Sequence, residues 1–285
     1  MAINLPNPDR RDFLTAAAAA AVVGTVPGIS LAAPRRGRAS RKKGFCTVVR
    51  DDGKWLKRIT ALKAKWFYSW GHTLPEGLPK RVEFCPMVWG AWGDSLTRDV
   101  AKLSKQIAND QIKNVMAFNE PDQHDQSNLS VERVLELWPK FMELEAPLAS
   151  PGCVHPDREW MQQFMAGVKK RGYRVDYVCV HSYGGANAAA FMNRMQKVYK
   201  MYDRPLWITE FAVGDWKAKR VEDNRHSPQR VAEFMYKLLP AMERADFIDR
   251  YAWFSASQES AALGTSALFD KQGGLTPLGE LYASA

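Results

Sequence analysis

Short apolar runs alternate with longer amphipathic stretches from Gly44 to the end of the chain. Phe45–Val49, Lys65–Trp70, Val82–Trp89, Asn114–Asn119, Leu148–Val154, Tyr177–Tyr183, Leu206–Phe211 and Arg250–Ser255 are brief and bounded by turn-forming residues, which predicts eight strands. Between most of them the apolar positions recur at three- and four-residue intervals. Val131, Val134, Leu135, Trp138, Phe141 and Met142 follow that rhythm, as do Ala188, Phe191, Met192, Met195, Val198, Tyr199 and Tyr202. Val231, Phe234, Met235, Leu238, Leu239 and Met242 follow it too, after Ser227 as N-cap and Pro228 at the first helical position. Each predicted helix has one apolar face to lay on a sheet.

Alternating strands and helices imply parallel strands joined by right-handed crossovers, and eight such units close into a (β/α)8 TIM barrel. The expected fold is therefore α/β, a single domain over residues 44–285. Gly71–Arg81 is short and rich in Gly and Pro, so that crossover reads as a loop. A doubly wound open sheet is the alternative, but no glycine-rich nucleotide loop follows the first strand.

Two of the predicted strands end in a carboxylate. Asn114-Val-Met-Ala-Phe-Asn-Glu-Pro121 delivers Glu120 to a loop start, and Pro205-Leu-Trp-Ile-Thr-Glu-Phe211 does the same with Glu210. In a barrel the chemistry collects where strands run into their C-terminal loops. Asn-Glu-Pro alone is also ordinary turn chemistry. Paired in matching contexts, the two glutamates suit cleavage of a glycosidic bond, which needs one group to protonate the departing oxygen and one to attack or to activate water. A retaining mechanism predicts a carboxyl separation of about 5 to 5.5 Å, an inverting one a gap of order 8 Å.

Further motifs stand in barrel order. Phe67-Tyr-Ser-Trp-Gly71, Phe118-Asn-Glu-Pro121, Val180-His-Ser-Tyr-Gly184, Trp207-Ile-Thr-Glu-Phe211 and Ala252-Trp-Phe254 resemble family 128 of the glycoside hydrolases, endo-β-1,3-glucanases of clan A. The resemblance spans Gly44 to about Tyr282. It implies Glu120 as general acid/base, Glu210 as nucleophile, Asn119 as partner of the sugar 2-hydroxyl, Tyr183 as a hydrogen-bond donor to Glu210, and His181 packed beside it. Ser182 departs from the family pattern, where an aromatic often stands.

Trp70, Trp89, Trp92, Trp216 and Trp253 fall at predicted strand ends or just beyond, where flat aromatic faces can cover sugar rings or simply pack in the core. Trp70, Trp89 and Trp253 are taken as substrate-binding, with Trp253 foremost because it lies near the end of the eighth strand. Trp55, Trp138 and Trp160 sit in helical patterns and read as packing. His72 and His124 lie on loops of the active face, and Asp122 and Asp125 either line the cleft or keep their loop soluble. No HExxH or closely paired ligand spacing occurs among the histidines, so neither a metal nor another cofactor is expected. Cys46, Cys85, Cys153 and Cys179 lie in or beside predicted strands, which fits small buried residues better than disulfides.

The N-terminus reads differently from the body. Asp9-Arg-Arg-Asp-Phe-Leu14, an alanine-rich apolar run to Val26 and Ser30-Leu31-Ala32 form a twin-arginine export signal over residues 1–33. Its apolar run is shorter than the ~20 residues of a membrane span. Residues 34–43 then form a basic tail that reads as disordered and suits anionic envelope polymers. The formal net charge of +9 dissolves on apportioning: residues 1–32 carry two Arg and two Asp, the tail six cations, and the remaining 32 basic and 29 acidic residues leave the body at +3. Nucleic-acid binding thus has no support in the body.

The expectation is an exported, monomeric bacterial enzyme, periplasmic or secreted, cutting β-1,3-glucan through a glycosyl-enzyme intermediate. A hydrolase or transglycosylase acting on another β-glycan, and a non-catalytic glycan-binding protein, are the alternatives.

Overall fold

A computed structural model describes residues 40–285. The export signal and most of the basic tail lie outside the described residues. The last residues assigned to that tail do not: Ser40 and Lys43 are buried parts of the fold. The Ser40 hydroxyl bonds to Glu243 and accepts the backbone N–H of Lys42 and of Lys43. Lys43 opens the first strand, and its Nζ donates to the carbonyl of Tyr282 at 2.8 Å. A basic run looks solvated in sequence, but a lysine can bury its stem and satisfy its ammonium on helix-end carbonyls.

The eight strands are β1 (Lys43–Cys46), β2 (Trp66–Tyr68), β3 (Glu83–Phe84), β4 (Val115–Met116), β5 (Leu148–Ala149), β6 (Val178–Gly184), β7 (Leu206–Val213) and β8 (Ile248–Trp253). Each falls on a predicted run, several of them trimmed to a pair of residues. They run in the order β3-β2-β1-β8-β7-β6 in one sheet and β4-β5 in another, and all the pairings between them are parallel. Single parallel bridges join the neighbours of the two sheets, Met87 to Met116, Ala149 to Tyr177 and Cys153 to Val180.

Among the described residues seven α-helices separate or follow the strands: α1 (Lys54–Ala61), α2 (Ser95–Ala108), α3 (Val131–Met142), α4 (Glu159–Arg171), α5 (Ala188–Tyr202), α6 (Pro228–Arg244) and α7 (Pro277–Ser284). The Gly71–Arg81 crossover is free of helix. Capping explains the sharp starts. The side chains of Ser130, Asn187, Ser227 and Thr276 accept the N–H of Arg133, Ala190, Arg230 and Gly279, satisfying donors that no carbonyl of the first turn can reach.

Two apolar clusters form the core. The larger packs helix faces against strand residues such as Phe45, Phe67, Ile208, Phe211 and Tyr251. The smaller gathers Cys46, Trp66, Tyr68, Cys85, Met87, Met116, Ala149, Cys179, Trp207 and Ala252, so every strand or its immediate extension contributes. Side chains alternate between these two layers along the strands, as a period of two requires, except at the end of β7, where Phe211, Ala212 and Val213 all belong to the larger cluster. All four cysteines are buried and unpaired. At the strand N-terminal end Arg250 makes a two-pronged contact with Glu83, at 2.9 and 3.0 Å, and lies over the Trp207 ring at 4.5 Å.

Candidate active site

Glu210 reaches the interior through a break in alternation. Trp207 packs inward and Ile208 outward, so unbroken pleating would turn Glu210 outward with Leu206 and Ile208. The register of β7 slips between Ile208 and Phe211 against β8, and His181 of β6 pairs with Glu210 where Val180 pairs with Ile208. The extra residue is a β-bulge, and it aims the carboxylate into the interior. Glu120 depends on a different device: its φ of 41° is left-handed, unusual for a non-glycine residue and held by the backbone bond from its N–H to Gly152. Trp70, φ 57°, shares that conformation.

Glu210 is 4% exposed and surrounded by donors. The Tyr68 hydroxyl and Trp70 Nε1 each donate to Oε1 at 2.7 Å, and the Tyr183 hydroxyl donates to Oε2. Burial and the charge of Glu210 push both phenols well above their ordinary range, so they stay protonated and keep donating. Three donors from three different residues thus converge on one carboxylate and fix its orientation.

His181 lies between the two glutamates and is fully buried. Its Nδ1 is 2.6 Å from Glu120 Oε1, and its Nε2 is 3.5 Å from Glu210 Oε1. Burial works against its charge, but Glu210, Glu120 and Asp122 together raise it above the ordinary histidine value. One oxygen of each glutamate and one ring nitrogen all lie within 4.8 Å of one another, close enough to hold a metal ion. The donors already spent on Glu210 and Glu120 make the same group a self-contained hydrogen-bonded unit.

Asn119 is buried beside them, its Nδ2 donating to Gln126 at 3.0 Å while Oδ1 has no protein partner. That leaves an acceptor ready for a hydroxyl. Ser182 points away from the carboxylates: its hydroxyl accepts from Arg194 of α5. Trp89 stacks on Trp92 with ring centres 5.5 Å apart, and Trp92 and Trp216 are the most exposed large hydrophobic residues among those described, at 61% and 66%. His72 pairs with Asp99, and His124 is exposed.

Trp253 is not at the site. It is fully buried, packed edge-on to Phe211, and its Nε1 donates to the Ser266 carbonyl. Its neighbour Phe254 takes the inward place, with its ring 5.9 Å from that of Trp70 and 5.4 Å from that of Tyr183. Tyr251 and Trp253 share the outward face of β8, so the alternation was readable. Tyr68, two residues before Trp70 and on its face, was findable in the same way. Gly152, whose place any Cβ would contest with His181 Nε2, left no sequence signal.

A family model described as the glycosyl hydrolase catalytic core matches residues 44–282. A subgroup I endo-β-1,3-glucanase of glycoside hydrolase family 128 from Amycolatopsis mediterranei, solved with laminaritriose, is 31% identical. That likeness covers 86% of this chain and 99% of that one, with a TM-score of 0.70. The chain belongs to glycoside hydrolase family 128. A subgroup II endo-β-1,3-glucanase from Sorangium cellulosum is 25% identical with a TM-score of 0.68, covering 86% of this chain and 98% of that one. Alkali-sensitive linkage protein 1 of Schizosaccharomyces pombe is 25% identical over 256 residues, 86% of this chain, and the chain spans only 45% of that protein's length. The chain is thus a glycoside hydrolase, and its paired glutamates lie within the matched region. Among the described residues no helix is long and apolar enough to cross a membrane.

Proposed function

We propose that this family 128 enzyme is an exported, retaining endo-β-1,3-glucanase built on a closed (β/α)8 barrel. The barrel reading rests on the return of β8 to β1, the three bridges between the two sheets, and one interior cluster fed from all eight strands. Export rests on the twin-arginine pattern of residues 1–33, and the substrate on the relatives that act on β-1,3-glucan.

The observation that carries the mechanism is the unequal treatment of two close carboxylates. Glu210, oriented by the donors Tyr68, Trp70 and Tyr183, attacks the anomeric carbon. Glu120, held through His181, gives its proton to the departing glycosidic oxygen. A glycosyl–Glu210 ester results. Glu120, now a carboxylate, takes a proton from water, whose oxygen displaces Glu210 and restores both groups. Carboxylate oxygens within 4.8 Å of each other match the close spacing of about 5 to 5.5 Å used by retaining enzymes, not the wider gap that seats an attacking water beside the sugar, which favours retention over inversion. The Asn119 Oδ1 accepts from the 2-hydroxyl at the reacting ring.

The test is product analysis. The protein is incubated with linear β-1,3-glucan, mixed-linkage glucan, cellulose, mannan and chitin, and released oligosaccharides are separated. Short β-1,3-linked oligosaccharides with the β-anomer formed first, absent with Glu210→Gln, are expected. Initial α-anomer would overturn retention, and release from another polymer alone would overturn the substrate.

A further inference from the structure

All the strand pairings are parallel, so the strand N-terminal ends share one side of the molecule, opposite the loops that carry Glu120 and Glu210. An exposed cation stands just before six of the eight strands: Lys63, Arg81, Lys113, Arg171, Arg204 and Arg244. Arg171 and Arg244 close helices, where a cation offsets the partial charge of the last carbonyls. The other four stand in connections, outside any helix. None of the six pairs with a carboxylate among the described residues. At the catalytic end, by contrast, Lys54, Arg220, Arg225 and Lys271 pair with Asp52, Asp223, Asp215 and Glu259, while Lys217 and Lys219 stand unpaired among the described residues. With Lys80, Lys169 and Lys170 beside them, the unpaired cations outnumber the exposed carboxylates Asp110, Glu143, Glu145, Asp203 and Asp246 interspersed at that end, of which Glu143 is taken up by Lys140. A body whose formal charge is near neutral is therefore polarised, and its basic side faces away from its cleft.

We propose that this face docks on an acidic polysaccharide and leaves the cleft turned outward toward the glucan. Charge complementarity supplies the attraction, and dispersed long side chains suit a flexible polyanion. A bilayer fits less well, because of the large exposed apolar side chains Val48, Trp92, Met201, Trp216 and Tyr236 only Met201 lies at this end.

The test compares the full chain with two variants that share its N-terminus, so any contribution of residues 1–39 cancels. One neutralises the basic face (Lys63, Arg81, Lys113, Arg171, Arg204 and Arg244, each to Gln). The other neutralises six cations of the catalytic end (Lys54, Lys217, Lys219, Arg220, Arg225 and Lys271, each to Gln). Binding to immobilised polygalacturonate is measured at ~0.1 M salt, where charges act over about 10 Å. The basic-face variant is expected to bind at least tenfold more weakly, with cleavage of soluble oligosaccharide unchanged and only a modest fall in melting temperature from the lost helix-end contacts of Arg171 and Arg244, while the second variant loses under threefold. Equal losses would reduce the effect to net charge and overturn the proposal. So would undiminished binding by the basic-face variant, or binding to phosphatidylglycerol vesicles with none to polygalacturonate.

Discussion

Nδ1 of His181 lies 2.6 Å from Oε1 of Glu120, and the far nitrogen of the same ring faces Oε1 of Glu210 at 3.5 Å. The ring gains a proton more readily here than in water because three acids outweigh its burial. A raised folded value means that the stabilisation is complete below the unfolded value of about 6.5 and disappears as pH rises through the folded one. Urea unfolding of the wild type and His181→Gln from pH 5.5 to 9 checks this. The stability lost in the variant is expected to be greatest at the acid end and to shrink as pH rises. A loss that stays constant with pH would show that the imidazole is neutral throughout.

The two phenols on Glu210 make a separate prediction. A hydrogen bond to a charged group contributes about 1.5 to 3 kcal/mol, or roughly 10- to 100-fold in rate if it acts fully on the ionised nucleophile. Tyr68→Phe and Tyr183→Phe are each expected to lower kcat by that factor with little change in KM. Unchanged kcat in both variants would mean that the phenols only pack.

Gly152 makes a third. A Cβ at this position would come within 2.7 Å of His181 Nε2, and the fully buried ring has nowhere to retreat. Gly152→Ala is expected to displace the imidazole from both glutamates, lowering kcat about a hundredfold for a displacement of order 1 Å. The stability loss stays near 1 to 3 kcal/mol. Calorimetry and steady-state rates on one preparation separate the two effects, and a normal kcat would show that His181 tolerates the shift.

The fold was legible because its signals are local and repeated. Each strand run carried its own turn boundaries, and Ser227-Pro228 marked a helix start that the structure realises. Glu210 was found through its chemistry, not its pattern: by alternation alone it belongs outward with Ile208, and only the bulge turns it in. A bulge depends on how two neighbouring strands slip, which no single strand records. Gly152 was invisible for a related reason. Its need arises from a side chain on β6, and spatial crowding leaves no spacing to read.

Trp253 and Phe254 test that lesson directly, because they are adjacent and face opposite layers. Trp253 fills core space against Phe211 and Tyr282, so Trp253→Ala is expected to cost about 3 to 5 kcal/mol of stability. Its surviving folded fraction should keep a near-normal KM. Phe254 touches the rings of Trp70 and Tyr183, both of which hold Glu210. Phe254→Ala therefore frees those donors to move and admits water beside the nucleophile. A kcat/KM at least tenfold lower is expected, with a stability loss near 1 kcal/mol because the side chain is only partly buried. The reverse outcome, a stable Trp253→Ala that fails to bind glucan and a Phe254→Ala that cleaves normally, would put the tryptophan back at the substrate.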